Sequence, residues 1–187
     1  MIIQDTNLLD ENTPLVFTDG TEIYNKLASE YKTHKKGFFI IAPSGSGKTH
    51  FIDRQEVNNW IDGDTLWMAT NAHPKGEWWL KGLDGINEIE RRSDVITEQA
   101  KRLGFWIIGV DCYSILPDAV VIPDLETHKR YLQNRTDDPN NDGGQTIDKL
   151  DSVLRARKYM ESFAEKGVPI FKSMTEATDY LASTENS

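Results

Sequence analysis

Short apolar runs alternate with longer amphipathic stretches along this chain of 187 residues. Such runs, rich in Ile, Val, Phe and Trp, are typical of strands buried on both faces of a sheet. Five strands are predicted, at 38–41, a second that ends within 60–64, 105–110, 119–122 and 168–171.

Apolar residues at helical spacing predict helices between these strands. The helices are expected at 21–36, briefly after Thr49, and at 86–103, 124–135, 146–166 and 175–182. The segment 66–85 is the least regular part of the chain. Strands that alternate with helices predict an α/β domain of three layers with a mostly parallel five-stranded sheet.

The first 36 residues are interpreted as an N-terminal extension of the main domain, 37–187. Residues 1–13 are polar and are expected to form a loosely held leader, and Leu15 to Phe17 are predicted to add a short edge strand. Asp19 or Thr21 is the expected N-cap of the first helix, and Gly37 its expected end.

The strongest chemical signal follows the first strand. The pattern G-x-x-x-x-G-K-[ST] of a phosphate-binding loop ends at Gly47, Lys48 and Thr49, with Ala42 in the place of the first glycine. Glycines at 45 and 47 allow successive backbone N–H groups to turn inward around an anion. A helix that starts near Lys48 adds its positive end. The sequence therefore predicts a nucleoside triphosphate site.

In such a loop, Lys48 reaches the β- and γ-phosphates and Thr49 offers its hydroxyl to Mg²⁺. The predicted cofactors are ATP and Mg²⁺. The residues expected to bind the nucleotide are Ser44, Gly45, Ser46, Gly47, Lys48, Thr49 and His50.

Asp62 and Asp64 follow the second strand, at the edge of the sheet where parallel α/β folds bind their ligands. A carboxylate there can orient a hydroxyl acceptor and take its proton, whereas a phosphate acceptor needs no such base. The alternative is that one of the two caps a turn around Gly63. Asp111 ends the third strand, where it is expected to hold Mg²⁺ through a water or to position the acceptor, or simply to start a turn.

Composition narrows the possibilities. The 38% hydrophobic and 27% charged residues are typical of a globular protein, and the net charge of −9 argues against stable non-specific binding to nucleic acid. No apolar run is long enough to span a membrane. With Cys112 as the single cysteine, no intramolecular disulfide is possible, which favours a reducing, cytoplasmic location.

The chain resembles the small P-loop kinases, which include nucleoside monophosphate, shikimate, gluconate and polynucleotide 5′-hydroxyl kinases. The resemblance covers roughly 37–182 and rests mainly on the order of four segments. These are Ala42 to Thr49, Val120 to Asp124 with the helix to Arg135, Arg155 to Tyr159, and Val168 to Phe171. The compact size and the short helix after the loop are similar to phage and viral members, which act in the host cytoplasm.

The resemblance implies a lid at about 136–146 and an acceptor-binding segment at about 65–100. It makes Arg135, Arg155 and Arg157 candidates for neutralising charge on the transferred phosphoryl group, although Arg155 and Arg157 point to different sides of a helix. Arg135 is alternatively a partner for the adenine ring.

Aromatic and basic residues of the acceptor segment leave two further alternatives open. Trp67, His73, Trp78 and Trp79 either stack on a nucleobase or cover the core. Arg91 and Arg92 either bind an acceptor phosphate or form a solvated face.

We therefore expect an ATP- and Mg²⁺-dependent kinase. Its catalytic candidates are Lys48, Asp62, Asp64, Arg135 and Arg155, with Thr49 and Asp111 as metal ligands. The expected acceptor is a hydroxyl of a nucleoside, a nucleotide or a modified DNA base such as a hydroxymethylpyrimidine. The alternatives are a nucleoside monophosphate kinase and a P-loop ATPase or regulatory protein without an acceptor.

Overall fold

The computed structural model describes residues 15–76, 78–141 and 144–185, without the side chain of Trp79. The predicted leader, 1–13, lies outside these ranges. So do Asp142 and Gly143 of the expected lid.

The described chain folds around a five-stranded sheet whose strands are all parallel, in the order β2-β3-β1-β4-β5. The strands are β1 (Phe38–Ile41), β2 (Trp60–Asp62), β3 (Trp106–Gly109), β4 (Ala119–Val121) and β5 (Ile170–Phe171). The prediction of an α/β fold with a five-stranded sheet is confirmed. Strand β1, which leads into the phosphate loop, is central.

Helices cover both faces of this sheet. They are α1 (Ile23–Glu30), α2 (Lys48–Ile52), α3 (Gly63–Ala69), α4 (Gly82–Arg102), α5 (Leu125–Asp137), α6 (Leu150–Glu161) and α7 (Met174–Thr184). Short 3₁₀ turns occupy Trp78–Leu80, Ile147–Lys149 and Ser162–Lys166. No helix of the described chain is long and apolar enough to cross a membrane.

The alternation of side chains along β1 separates two hydrophobic clusters. Phe39 and Ile41 pack with residues of α1, α3, α4 and α6, while Phe38 and Ile40 pack with residues of α2 and α7. All four side chains are almost completely buried, as expected of a strand covered on both faces. The three-layer prediction is confirmed.

The N-terminal prediction is wrong in detail. The predicted edge strand, Leu15 to Phe17, is reduced to one antiparallel bridge between Val16 and Glu22, outside the sheet. Leu15 and α1 instead pack on one face of the sheet, in the cluster that contains Phe39. Burial of the apolar side chains thus determines where this segment lies.

The first helix is also shorter than predicted. It begins at Ile23, after Glu22, and ends at Glu30, well before Gly37. Asp19 accepts a hydrogen bond from the Thr21 backbone (2.9 Å) but does not cap the helix. Beyond Tyr31 the chain has no further apolar residue at helical spacing to pack on the sheet, and it continues without regular structure to β1.

Part of the irregular segment is helical. Helix α3 starts at Gly63 because Asp62, at its N-cap, accepts a hydrogen bond from the Asp64 backbone (2.9 Å). A Cβ at Gly63 would lie 3.1 Å from the Gly109 Cα, so this glycine lets α3 approach β3. Helix α4 likewise begins at Gly82 instead of residue 86.

The predicted helix at 146–166 is divided. A 3₁₀ turn precedes α6, and another, Ser162–Lys166, follows it. The strand predicted at 168–171 is reduced to Ile170–Phe171. The remaining elements differ from prediction only at their ends, where hydrogen bonding and hydrophobic spacing give the weakest signal.

The buried carboxylate of Asp94 holds the chain after β3. It accepts hydrogen bonds from the backbones of Tyr113 (3.0 Å), Ser114 (2.6 Å) and Ile115 (3.1 Å), and one from the Ser114 hydroxyl (3.0 Å). The loop that follows β3 begins at Asp111. Because Asp94 of helix α4 holds this loop, α4 also fixes the position of the Asp111 carboxylate.

We expect Asp94→Ala to lower the free energy of unfolding by about 3 kcal/mol, since it leaves several N–H donors of this loop without a partner. Urea unfolding measures the loss. The matched change Asp84→Ala, at an exposed position of the same helix, should cost no more than about 1 kcal/mol. Equal effects of the two changes would contradict the anchoring role of Asp94.

Candidate functional site

The predicted phosphate loop, residues 42–49, lies at the carboxyl end of β1 and contains two glycines with left-handed backbone conformation. Gly45 has φ +79° and Gly47 has φ +91°. A Cβ at Gly45 would come within 2.5 Å of the Leu132 side chain, so only glycine allows α5 to pack on the loop here. Helix α2 starts at Lys48, as predicted.

Lys48 is buried inside the loop, with 8% of its surface exposed. Its ammonium donates to the carbonyl oxygens of Ala42 (3.2 Å) and Pro43 (3.3 Å). Burial lowers the pKa of Lys48 to about 8, while the negative charges of Asp64 and Asp62 act in the opposite direction. An ammonium has three N–H donors, so one remains for a ligand.

Asp62 and Asp64 lie within electrostatic reach of Lys48. Asp62 caps α3, so the turn-capping alternative describes a role that this residue has. The carboxylate of Asp64 makes no hydrogen bond within the described chain. Burial and, secondarily, the charge of Asp62 raise the pKa of Asp64, against the effect of Lys48.

Arg135 joins the start of the expected lid to the loop. Its Nη1 donates to the Ser44 hydroxyl (3.2 Å) and to the Gln145 carbonyl (3.4 Å). The backbone N–H of Gln145 donates to the same hydroxyl (3.2 Å). Both ends of 136–146 are therefore held at Ser44.

His128 was not identified from the sequence, yet it contacts the loop directly. Its Nε2 lies 2.9 Å from the Ser44 carbonyl and its Nδ1 lies 3.0 Å from Nη1 of Arg157. These partners require Nε2 to donate and Nδ1 to accept, and burial lowers the pKa of His128, which favours this neutral form. The available signal was helical spacing, since His128, Leu132 and Arg135 share one face of α5.

The structure separates the two arginines of α6. Arg157 is buried and also donates to the Pro123 carbonyl (2.8 Å). It therefore fixes the His128 ring on the side away from the Ser44 carbonyl. Arg155 is exposed and lines neither of the two cavities beside the loop. The structure thus does not bring the catalytic candidate Arg155 to the site.

A large cavity of about 1010 Å³ opens on one side of the loop. Its walls come from α2, from the face of α5 with Tyr131 and Arg135, and from the segment 172–175 before and within α7. Its charged residues are four cations, Lys48, Arg54, Arg135 and Lys172, and two carboxylates, Glu56 and Asp179. Thr49 and His50 are exposed at its wall.

A smaller cavity of about 180 Å³ lies on the other side, where Pro43 and Ser44 form part of its wall. Three aromatic side chains and two carboxylates also line it. They are Trp67, His73, Trp78, Glu90 and Asp111.

Asp111 and Thr49, the two predicted metal ligands, line different cavities. Asp111 accepts a hydrogen bond from the Cys112 backbone (2.7 Å), and burial raises the pKa of Asp111 to about 6. No group of three His, Cys, Asp or Glu residues within the described ranges could hold a metal ion. The structure therefore does not unite these two ligands in one site.

Three other candidates from the predicted acceptor segment make contacts within the protein. Trp67 is a core residue whose Nε1 donates to the Thr97 hydroxyl (3.0 Å), although its ring also lines the smaller cavity. Arg91 contacts the hydroxyl of Tyr113 (3.0 Å) and Arg92 contacts Glu88 (2.6 Å), and neither lines the cavity.

Comparisons with protein-family models, curated proteins and solved structures find no significant match to this chain. Its function is inferred from the geometry of the site.

The hydroxyl of Ser44 accepts hydrogen bonds from both ends of the segment 136–146, the expected lid. We expect Ser44→Ala to accelerate cleavage within 136–146 by a protease that cuts beside aspartate, because both hydrogen bonds to that hydroxyl are lost. Gel analysis of timed digests measures the rate.

Ser46→Ala is the matched control, because the Ser46 hydroxyl is buried without a hydrogen-bond partner in the described chain. Its digestion should follow that of the unchanged protein. Identical rates in all three proteins would show that Ser44 does not hold the segment 136–146.

His73 predicts a pH dependence of stability. Burial lowers its pKa from 6.5 to about 4, so the unfolded chain takes up the proton first as the pH falls. This destabilisation is absent above pH 6.5 and reaches about 3 kcal/mol near pH 4.

We expect His73→Phe to remove this loss of stability while keeping an aromatic ring between the indoles of Trp67 and Trp78. Urea unfolding from pH 7 to pH 4 should show a steeper decline for the unchanged protein than for the variant. The comparison also cancels the opposite contributions of Glu90 and Asp111, whose pKa values are raised. Parallel curves would contradict the prediction.

Proposed function

We propose that this protein is an ATP- and Mg²⁺-dependent kinase that transfers the γ-phosphoryl group to a hydroxyl acceptor. One observation supports this best. The buried Lys48, with Asp62 and Asp64 in electrostatic reach, belongs to a loop that separates a large cationic cavity from a small acidic one. Phosphoryl transfer needs two such neighbouring sites, one for the donor and one for the acceptor.

The larger cavity suits the triphosphate. Its volume is sufficient for a nucleotide, and its loop supplies inward-turned N–H groups next to Lys48. The hydroxyl of Ser46 is buried and has no hydrogen-bond partner in the described chain, so a phosphate oxygen would satisfy it. Arg135 adds charge at the same wall.

Thr49 is the residue proposed to bind Mg²⁺, because its exposed hydroxyl offers the oxygen ligand that this ion prefers beside phosphates. When bound, the ion would neutralise charge on the phosphate oxygens.

Asp64 is the proposed proton acceptor because it lies within electrostatic reach of Lys48, although its side chain lines neither of the two cavities. Its raised pKa makes it a better base than an exposed aspartate. In the transfer, the acceptor oxygen forms a bond to the γ-phosphorus and its proton passes to the Asp64 carboxylate. The bond from phosphorus to the bridging oxygen breaks, and its electron pair leaves with ADP. Lys48 stabilises the charge that develops.

The arginines of the predicted acceptor segment bear on whether the acceptor is a hydroxyl or a phosphate. A monophosphate acceptor needs cations at its site, but Arg91 and Arg92 are engaged elsewhere, with Tyr113 and Glu88. A hydroxyl of a nucleoside, a nucleotide or a modified DNA base is therefore favoured over a phosphate. Since ATP is the proposed donor, we place the reaction in the cytoplasm.

Formation of ADP with and without candidate acceptors tests the proposal. A kinase forms ADP quickly only when nucleosides, mononucleotides or DNA with modified bases are supplied. Equal rates with and without every acceptor would favour an ATPase instead.

We expect Asp64→Asn to reduce kcat by about 10²–10⁴-fold while ATP affinity changes little, because asparagine cannot accept the proton. Asp62→Asn is an informative companion, since asparagine preserves the helix cap and should keep α3 intact. Rapid-quench kinetics and nucleotide titration measure the two quantities.

Lys48→Met tests the role of Lys48 in ATP binding and turnover independently of protein stability. It should abolish turnover without lowering thermal stability, because it removes a charge whose burial is unfavourable. If both asparagine variants keep normal rates, the hydroxyl-kinase proposal is wrong and a monophosphate kinase should replace it. Normal turnover of Lys48→Met would exclude the phosphate-loop assignment itself.

A further inference from the structure

The two cavities beside the phosphate loop differ in charge. The lining of the larger has four lysine and arginine side chains, Lys48, Arg54, Arg135 and Lys172, against two carboxylates, Glu56 and Asp179. The described lining of the smaller contains no lysine or arginine, and it includes Glu90 and Asp111. The carboxylate of Glu90 has no hydrogen bond or ion pair in the described chain.

A second, independent feature of the smaller cavity is the imidazole of His73. It is 93% buried, as its exposed fraction is 7%, and its ring nitrogens make no hydrogen bond within the described ranges. These nitrogens are not among the completely buried polar atoms that lack a partner, so they are open to the cavity. A ligand there can take the place of water as their hydrogen-bond partner.

The shape of the cavity limits its occupant. Its volume of about 180 Å³ is below the roughly 300 Å³ at which pockets for larger ligands begin. The ring of His73 lies between Trp67 and Trp78, with centroid distances of 4.8 Å and 4.6 Å. The three rings are tilted to one another by 44° and 47°, and an aromatic wall around so small a volume leaves room for a single ring.

We infer that the smaller cavity holds the ring of the acceptor and selects a planar single-ring heterocycle that donates hydrogen bonds and carries no phosphate. This inference rests on the proposed function and names the substrate class of that site. Carboxylates accept hydrogen bonds from exocyclic amino groups, such as N4 of cytosine. A phosphate beside two carboxylates would be repelled.

The donor-selecting role falls mainly to Glu90. One oxygen of Asp111 already accepts from the Cys112 backbone, which leaves its other oxygen for the ligand. Neutral His73 can donate or accept one hydrogen bond. The three groups together recognise a polar ring without a negative charge.

The test uses three probes with the protein as it exists. They are 5-hydroxymethyl-2′-deoxycytidine, its 5′-monophosphate, and 5-hydroxymethyl-2′-deoxyuridine, in which a carbonyl replaces the amino group. Binding without ATP is measured by quenching of tryptophan fluorescence at about pH 8. This pH ionises Glu90, because burial raises its pKa to about 7.

We expect the cytidine probe to bind about tenfold more tightly than either of the other two. Glu90→Gln should reduce both preferences several-fold, because it removes the charge and the pure acceptor character. Glu88→Gln is the control, since Glu88 lies on the same helix but pairs with Arg92 and lines neither cavity. It should leave both preferences unchanged.

The outcomes distinguish this inference from the proposed function. Tighter binding of the monophosphate, no binding of the cytidine probe, or preferences that Glu90→Gln leaves intact would overturn the inference even if ADP formation shows a kinase. Selective binding that Glu90→Gln weakens would support it even if no probe accelerates ADP formation, which would count against the kinase proposal alone.

Discussion

The site depends on the contact between helix α5 and the phosphate loop. Leu132 packs where a side chain on Gly45 would otherwise lie, and His128 binds the neighbouring Ser44 carbonyl. A loop with two residues of positive φ is intrinsically unfavourable unless its surroundings fix it. Here one helix supplies both the packing and the hydrogen bond, and Arg157 holds the imidazole in the required tautomer.

The same arrangement affects the charge that the loop presents to the two neighbouring cavities. Lys48 is directed inward, bound to carbonyls of its own loop, so its charge is not screened by solvent. Asp64 and Asp62 favour its protonated form, whereas burial disfavours it. The ammonium form of Lys48 is consequently less favoured than in solution, and an anion beside it would stabilise that form.

Much of the fold and part of the candidate site could be predicted from the sequence, because apolar runs and glycine motifs coincide with segments of the hydrophobic core. Strand β1 and the glycines after it are such a case. The positions of Asp62 and Asp64 beside Lys48 also agree with their expected place at the carboxyl end of the sheet. Local signals could not reveal His128, whose role depends on a residue 84 positions away in the chain. Nor could they show that Asp111 and Thr49 face different cavities, since that depends on how the loop divides the space.

The hydrogen bonds of Asp94 have a mechanical consequence. Glu90 lies one helical turn before Asp94 on α4, and Asp111 lies just before the loop that Asp94 binds. Helix α4 thus positions both carboxylates of the small cavity, Glu90 directly and Asp111 through the loop that Asp94 binds. His73 and Trp78, which also line the cavity, belong to the connection between α3 and α4. Sequence changes in that connection can therefore alter the size of the cavity while its charges keep their positions.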